Sequence, residues 1–344
     1  MSINAVRRFL NFTTHKIYNL PVLVLMPHSR CNCRCVMCDI WKANHNKKEI
    51  SPDTLRQHIH AFKQLGVREI VFSGGEALMH SNLWEFASVL KRENIKLTLL
   101  STGLLLSKHA ESILMYIDGV IVSLDGSEEV HDAIRQVPNG FQKLAEGVKR
   151  LKTLDATFPV TGRCVLQRHN YADFVNIVRS ARSLGLDQIS FLAADVSSTA
   201  FNRAEAWNEQ HVTDIVLTEP QIAHFEQIVT SSFVELQTDY SNHFIAEPPS
   251  KMLKLVQYYK AVNGNGEFPP VVCNAPWVSA VIESDGRVMP CFFHKPYGNI
   301  YEDHFESILN SPSAVAFRKT LVMKDDPICK KCVCSLKLGL SEMS

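Results

Sequence analysis

The chain lacks a long hydrophobic run, a net charge and any internal repeat. No stretch of its 344 residues approaches the roughly 18–20 consecutive apolar residues of a membrane-spanning helix, so no transmembrane segment is expected. Lysine and arginine total 36 against 35 acidic residues, a formal charge of +1. Such a balance supplies neither the basic field of a nucleic-acid binder nor an acidic solvating tail. The local basic stretch 42–48 reads as a solvated loop. The first twenty residues have no apolar core long enough for a signal peptide, because Asn11, Thr13, Thr14 and His15 interrupt it. Val6 to Ile17 has the pattern of a short amphipathic helix, expected to pack on the body rather than to lie on a membrane. What the chain does have is cysteine, ten in all. A secreted disulfide scaffold would be shorter and richer in loops, so the expectation is a cytoplasmic protein with reduced thiols that bind metal.

Apolar runs alternate with helical periodicity over most of the chain. Val22–Met26 reads as a buried strand. Ser51 and Pro52 open a helix as N-cap and first helical residue, with Leu55, Ile59 and Phe62 on one face and Gly66 at its end. Strands follow at 69–72, 96–100, 120–124, 160–167 and 188–192, with helices at 83–92, 108–116, 141–154 and 171–184 between them. Six strand–helix units with short links predict parallel strands with helical crossovers, an α/β fold able to curl into an incomplete (β/α)6 barrel. Residues 193–217 break the rhythm and read as a loop over the site, with Trp207 and several carboxylates shaping a pocket. Helices are expected at 219–236 and 250–262. Gly264-Asn265-Gly266 and Pro269-Pro270 mark a boundary, and Ser284-Asp285-Gly286 between two apolar runs predicts a hairpin. The expected division is a lead-in segment 1–20, the barrel 21–218, connecting helices 219–262 and a small cysteine-rich hairpin/helix extension 263–344.

Cys31-Asn32-Cys33-Arg34-Cys35-Val36-Met37-Cys38 places four thiols in eight residues directly after the first strand. Cys31, Cys35 and Cys38 can wrap three thiolates around one face of a [4Fe–4S] cubane, leaving one iron open. A four-thiolate zinc site that also uses Cys33 remains the alternative, although zinc loops usually bring two separated cysteine pairs. Gly74 and Gly75 after the second strand allow close approach of backbone to a ligand, and Glu76 offers a carboxylate.

The three-cysteine spacing, its place after strand one, Gly74-Gly75-Glu76 after strand two and the six alternating units together resemble the radical S-adenosylmethionine (SAM) enzymes. The resemblance covers about 21–192. It implies that Cys31, Cys35 and Cys38 hold the cluster and that SAM chelates the open iron. It also implies that Gly74, Gly75 and Glu76 receive the methionyl amine, and that Thr102 lies near the cofactor. Ser123 and Asp125 would face the SAM carboxylate and ribose, with Arg135 pairing with the carboxylate. Met37 departs from the family pattern, where an aromatic residue usually precedes the third cysteine, yet its sulfur can pack on an adenine face. Cys33 is extra to the motif and is expected not to bind; Cys164 is expected to be a core thiol, and His131 to be structural.

Cys273, Cys291, Cys329, Cys332 and Cys334 form a second set. Its arrangement resembles the C-terminal SPASM/twitch extension of the same enzymes. That implies one auxiliary [4Fe–4S] cluster on Cys273, Cys291, Cys329 and Cys332, with Cys334 as a substitute for Cys332 or free. A structural zinc ribbon is the alternative. The implied activity is reductive cleavage of SAM to a 5′-deoxyadenosyl radical, hydrogen abstraction from substrate, and an oxidoreductase-type outcome on a small molecule or sugar. Modification of a ribosomal peptide, and a non-enzymatic iron–sulfur or zinc protein, are the competing readings. A one-electron donor such as flavodoxin or ferredoxin is the implied partner.

Overall fold

The computed structural model describes residues 2–203 and 205–343. Helix α1 (Ile3–Thr14) leads into strand β1 (Val22–Leu25). Then α2 (Pro52–Gln64), β2 (Glu69–Phe72), α3 (Leu83–Arg92), β3 (Lys96–Ser101), α4 (Leu106–Tyr116) and β4 (Gly119–Ser123) alternate. Two helices follow β4, α5 (Glu128–Arg135) and α6 (Gly140–Leu154), before β5 (Val160–Leu166), α7 (Phe174–Ser183) and β6 (Gln188–Ala193). The start of α2 is built as its sequence dictates: the Ser51 hydroxyl accepts from the Thr54 N–H at 3.1 Å, and Pro52 follows.

Strands β1 to β6 pair in parallel in chain order. Along β4 and β5 burial alternates with period two. Val120, Cys164 and Leu166 are fully packed in the core, whereas Ile121, Ser123, Arg163 and Val165 line a cavity on the concave side. Cys164 is therefore a core thiol, with the Asn170 amide 3.6 Å from its sulfur. Burying each large aliphatic or aromatic side chain of this layer contributes about 1.5–3 kcal/mol, and the core extends without a break from Leu20 to Leu309.

The C-terminal half differs from expectation in two ways. The segment expected to be a loop contains α8 (Glu209–Ile215); Ala204 lies outside the described residues. After α9 (Glu219–Glu235), α10 (Gln237–Ser241), α11 (Pro249–Val262) and α12 (Ala275–Val278), the hairpin β7 (Ser279–Ile282) and β8 (Arg287–Met289) does not stand apart. Strand β7 pairs in parallel with β1, so the extension prolongs the barrel's own sheet in the order β6-β5-β4-β3-β2-β1-β7-β8-β9, with β9 at Gly298–Asn299. Helix α13 (Phe305–Leu309) then packs beside α2, where Phe305 meets Phe62 edge-on at 5.2 Å, and α14 (Pro312–Thr320) packs against α13. The sheet is open at β6 and β9, a partial barrel with a cysteine-rich flank.

Candidate active site

A cavity of about 260 Å³ opens at the C-terminal ends of the parallel strands. Cys31, Cys35, Met37 and Cys38 line one wall. Cys33 does not; it is 2 % exposed and lies within hydrogen-bond reach of Cys31 and Cys35. Hydrogen bonding to Cys31 and to Cys35, followed by burial, keeps the Cys33 thiol protonated well above the usual range. In return, the Cys33 thiol donates toward Cys35 and lowers it to about 7; burial opposes this and the Arg135 guanidinium supports it. Burial pushes Cys38 up to about 12. Three thiols line the wall and the fourth is buried behind Cys31 and Cys35, an arrangement that fits a cubane with one corner left for another ligand.

The loop is held from behind by α5. The Arg34 N–H donates to the Arg135 carbonyl and the Val36 N–H to the Ile134 carbonyl, both at 3.1 Å. Arg135 is not a surface charge. It is buried, pairs with Asp125 at 2.5 Å and sends a second N–H toward the Cys35 sulfur at 3.5 Å. Asp125 in turn accepts from the Val165 N–H at 2.9 Å and is fully buried, so its carboxylate braces the loop and is absent from the cavity wall. His131 has a structural place: its Nδ1 accepts from the Asp125 N–H at 3.2 Å, and burial beside Arg135 lowers it to about 4.

Glu76 also differs from its expected position. It is fully buried and does not line the cavity. Its carboxylate accepts from the Ser101 hydroxyl at 2.9 Å, the Thr102 N–H at 2.8 Å and the Leu78 N–H at 3.1 Å. The Thr102 hydroxyl lies 2.6 Å from Glu76 and 3.0 Å from the Asn32 amide oxygen, so its one proton links the glutamate to the cysteine loop. Burial raises the Glu76 carboxyl, while these donors favour the ionised form. Glu76 thus ties the turn after β2 to the turn after β3. Gly74, Gly75, Thr102 and Ser123 do line the cavity. At Gly75 an added Cβ would come within 2.3 Å of the Arg30 carbonyl oxygen, and Gly74 sits at φ +106°. Neither position accepts a side chain, because the turn packs its backbone against Arg30 and Met26 while lining the cavity.

The far wall comes from residues that no motif signalled. Arg163 and Val165 enter from β5, Asp195 follows β6, and Phe201, Phe292 and Phe293 close the mouth. Phe201 and Asn202 are consecutive left-handed residues, at φ 58° and 64°, which turn the 194–207 strap back over the cavity. The strap is anchored twice. Arg203 pairs with Asp195 at 2.6 Å and stacks on Trp207 at 3.7 Å, and the Trp207 indole N–H donates to Asp39 at 2.8 Å. Only Trp207 among these was foreseen from sequence, through its place in the irregular stretch.

Residues from the second cysteine set reach the same cavity. Val333 and Cys334 line it, and the Cys334 thiol, raised chiefly by burial, faces Arg163 and Cys273. Cys329 and Cys332 are raised mainly by burial and further by Cys291 and Cys273, so the five thiols share one neighbourhood. The segment is pinned by reciprocal bonds between Asn274 and Leu338, at 2.8 and 3.0 Å. His294, unforeseen from sequence, places Nε2 3.3 Å from the Cys329 sulfur; donors of His294, Asp326 and Cys329 lie within 4.8 Å of one another.

Comparison with known proteins bears on both halves. Residues 25–187 match the radical SAM superfamily, and 273–333 match SPASM, an iron–sulfur cluster-binding domain. The chain carries a radical SAM domain followed by a SPASM domain. Domains of these two kinds bind a [4Fe–4S] cluster with SAM and an auxiliary iron–sulfur cluster respectively. It is 26 % identical over 290 residues to the antilisterial bacteriocin subtilosin biosynthesis protein AlbA of Bacillus subtilis, covering 82 % of this chain and 58 % of AlbA. It therefore spans little more than half of that relative's length. It is 22 % identical to the sporulation killing factor maturation protein SkfB of the same organism, covering 91 % of this chain and 68 % of SkfB. Among solved structures, Streptococcus suis SuiB superposes with a TM-score of 0.67 at 16 % identity, covering 97 % of this chain and 75 % of SuiB; that likeness is one of fold. No described helix is long and apolar enough to cross a membrane.

Proposed function

We propose that this radical SAM enzyme modifies a peptide whose side chain enters the cavity between the two thiol sets. The observation that carries this reading is the character of the wall: Leu100, Ile121, Val165 and Leu192 below, with Phe201, Phe292 and Phe293 at the mouth. An apolar wall binds an amino-acid side chain well. A polyhydroxylated sugar would find few partners there, chiefly Arg163 and Asp195 on the far wall, and would leave hydroxyls against apolar surface. This shifts the balance away from the small-molecule or sugar substrate expected from sequence, and the names of AlbA and SkfB support the shift.

In this reading Cys31, Cys35 and Cys38 hold the catalytic cluster, and backbone at Gly74 and Gly75 with the hydroxyls of Thr102 and Ser123 receives SAM. The bound cluster and SAM supply one-electron cleavage of SAM and hydrogen abstraction from substrate. The chain's own residues do the rest. Arg135 steadies the Cys35 thiolate, Met37 packs on the nucleotide, and Phe201 of the strap with Phe292 and Phe293 after β8 excludes water. Cys273, Cys291, Cys329 and Cys332 hold the auxiliary cluster, leaving Cys334 to form part of the cavity wall. Cys35 and Cys38 also line an outer cleft of about 730 Å³ with Arg34, Lys42, Arg168 and His211, where an acidic flavodoxin or ferredoxin would approach the cluster.

The test is isotope transfer under anaerobic conditions. Reconstituted enzyme, SAM and reductant are incubated with side-chain-deuterated peptides or with deuterated aminocyclitols. Deuterium is expected in 5′-deoxyadenosine from the peptides. Transfer from the cyclitols with none from peptides would overturn the reading.

A further inference from the structure

Helix α1 is packed inside out. The side it buries is polar: Asn4, Arg8 and Asn11, with the small Ala5. Arg8 donates to the Asn19 side-chain oxygen at 3.1–3.2 Å and to the Gly339 and Glu342 carbonyls. Asn11 donates to the Asn19 carbonyl at 2.6 Å and the Trp277 carbonyl at 2.8 Å, and accepts from the Tyr18 N–H at 2.7 Å. The opposite face holds Ile3, Val6, Phe9 and Leu10 at helical spacing, and these are 69, 40, 49 and 37 % exposed. Tyr18, just beyond the helix, is 39 % exposed. Polar anchoring fixes the rotation of the helix, so the apolar stripe cannot turn inward without stripping Arg8 and Asn11 of their partners.

We propose that this stripe is a docking face for an anionic lipid surface. Two observations select that occupant. The first is charge: α1 carries no acidic residue, Arg7 stands at the edge of the stripe and Lys16 follows the helix, and of the residues that share the cleft with Arg7 and Tyr18 the lone acid Glu306 is offset by Lys63. The second is size. The four side chains expose on the order of 400 Å², about half of the ~800 Å² per partner that a standard protein interface buries. A single aliphatic and aromatic stripe with basic edges is the form that lies in a bilayer interface, where buried apolar area and attraction to anionic headgroups add. The face is independent of the catalytic cavity and does not rest on the substrate reading.

The experiment is co-sedimentation of the reconstituted protein with vesicles of phosphatidylcholine alone or mixed equally with phosphatidylglycerol. The protein is expected to pellet with the anionic vesicles about tenfold more than with the neutral ones, and to be released by high salt. The variant V6D/L10D, changed only on the exposed stripe, is expected to remain in the supernatant with unaltered circular dichroism and SAM cleavage. Wild-type protein that stays in the supernatant, or a variant that pellets equally, would overturn the proposal. So would light scattering that shows a dimer abolished by V6D/L10D, which would assign the stripe to a second copy of the chain.

Discussion

Both thiol sets reach one cavity, the second through Cys334, but they are assembled by opposite strategies. Cys31, Cys35 and Cys38 lie on one short loop, suspended from β1 and clamped by α5 through two backbone bonds and the buried Arg135–Asp125 pair. Cys273, Cys291, Cys329, Cys332 and Cys334 come from three separated segments, brought together by the β7–β8 hairpin and by side-chain bonds such as Asn274 with Leu338. The first site is local in sequence and braced by a buried charge pair. The second is non-local and joined mostly by neutral hydrogen bonds, so its geometry depends on the completed fold.

Substitutions can break or sharpen this contrast, and the largest effect belongs to the local loop. C35A is expected to abolish SAM cleavage and remove about four iron atoms per chain, whereas C33A keeps both, because Cys33 lies off the wall. Iron assay and 5′-deoxyadenosine formation read the outcome; equal losses in both variants would show that all four thiols act as one site. In the second set, C332A is expected to lose the auxiliary iron while retaining SAM cleavage, and C334A to retain both. Iron loss in C334A instead would exchange the two roles.

The bracing itself is open to measurement. D125A leaves Arg135 buried beside the loop without its partner and is expected to cost about 3–5 kcal/mol in urea unfolding of the metal-free chain. D125A/R135M should recover part of this cost, and failure to do so would mean that the pair does not act as a unit. His131 gives the clamp a pH dependence. Its folded value, about 4, lies below the ordinary 6.5, owing first to burial and then to Arg135. The folded chain therefore prefers the neutral ring. That contribution is complete above 6.5 and fades as pH falls toward 4, about 3 kcal/mol in all. H131N is expected to flatten this acid slope, and an unchanged slope would remove His131 from the account. The smallest effect concerns access to the loop from outside. R168E at the rim of the outer cleft is expected to slow flavodoxin-driven SAM cleavage several-fold at low salt and to leave dithionite-driven cleavage unaltered.

Much of the first half was legible because its signals are local. Strand and helix positions followed from periodicity, the α2 cap from Ser51-Pro52, and the cluster loop from cysteine spacing. Glu76 and Asp125 were harder. Sequence shows a carboxylate at the end of a strand, but whether it points into the cavity or braces a neighbouring turn depends on partners 25 and 10 residues further along, Ser101 and Arg135. Helix α5 was missed although Arg135 was singled out, since its eight residues carry only Ile134 and Val130 as sizeable apolar positions. The far wall left no signal: Arg163, Asp195, Phe201 and Phe292 meet only after the sheet curls. The pairing of β7 with β1 was illegible for the same reason, as two apolar strands separated by more than 250 residues carry no mark of adjacency.

That pairing has a mechanical consequence. Because β1 shares backbone bonds with β2 on one flank and β7 on the other, the spacing between the Cys31–Cys38 loop and the β7–β8 hairpin is set by strand geometry and not by the reach of a tether. Removing the C-terminal extension would not unplug an accessory. It would lay bare the ladder of amides along β1, the strand from which the catalytic loop hangs, and turn a shielded seam into an adhesive rim.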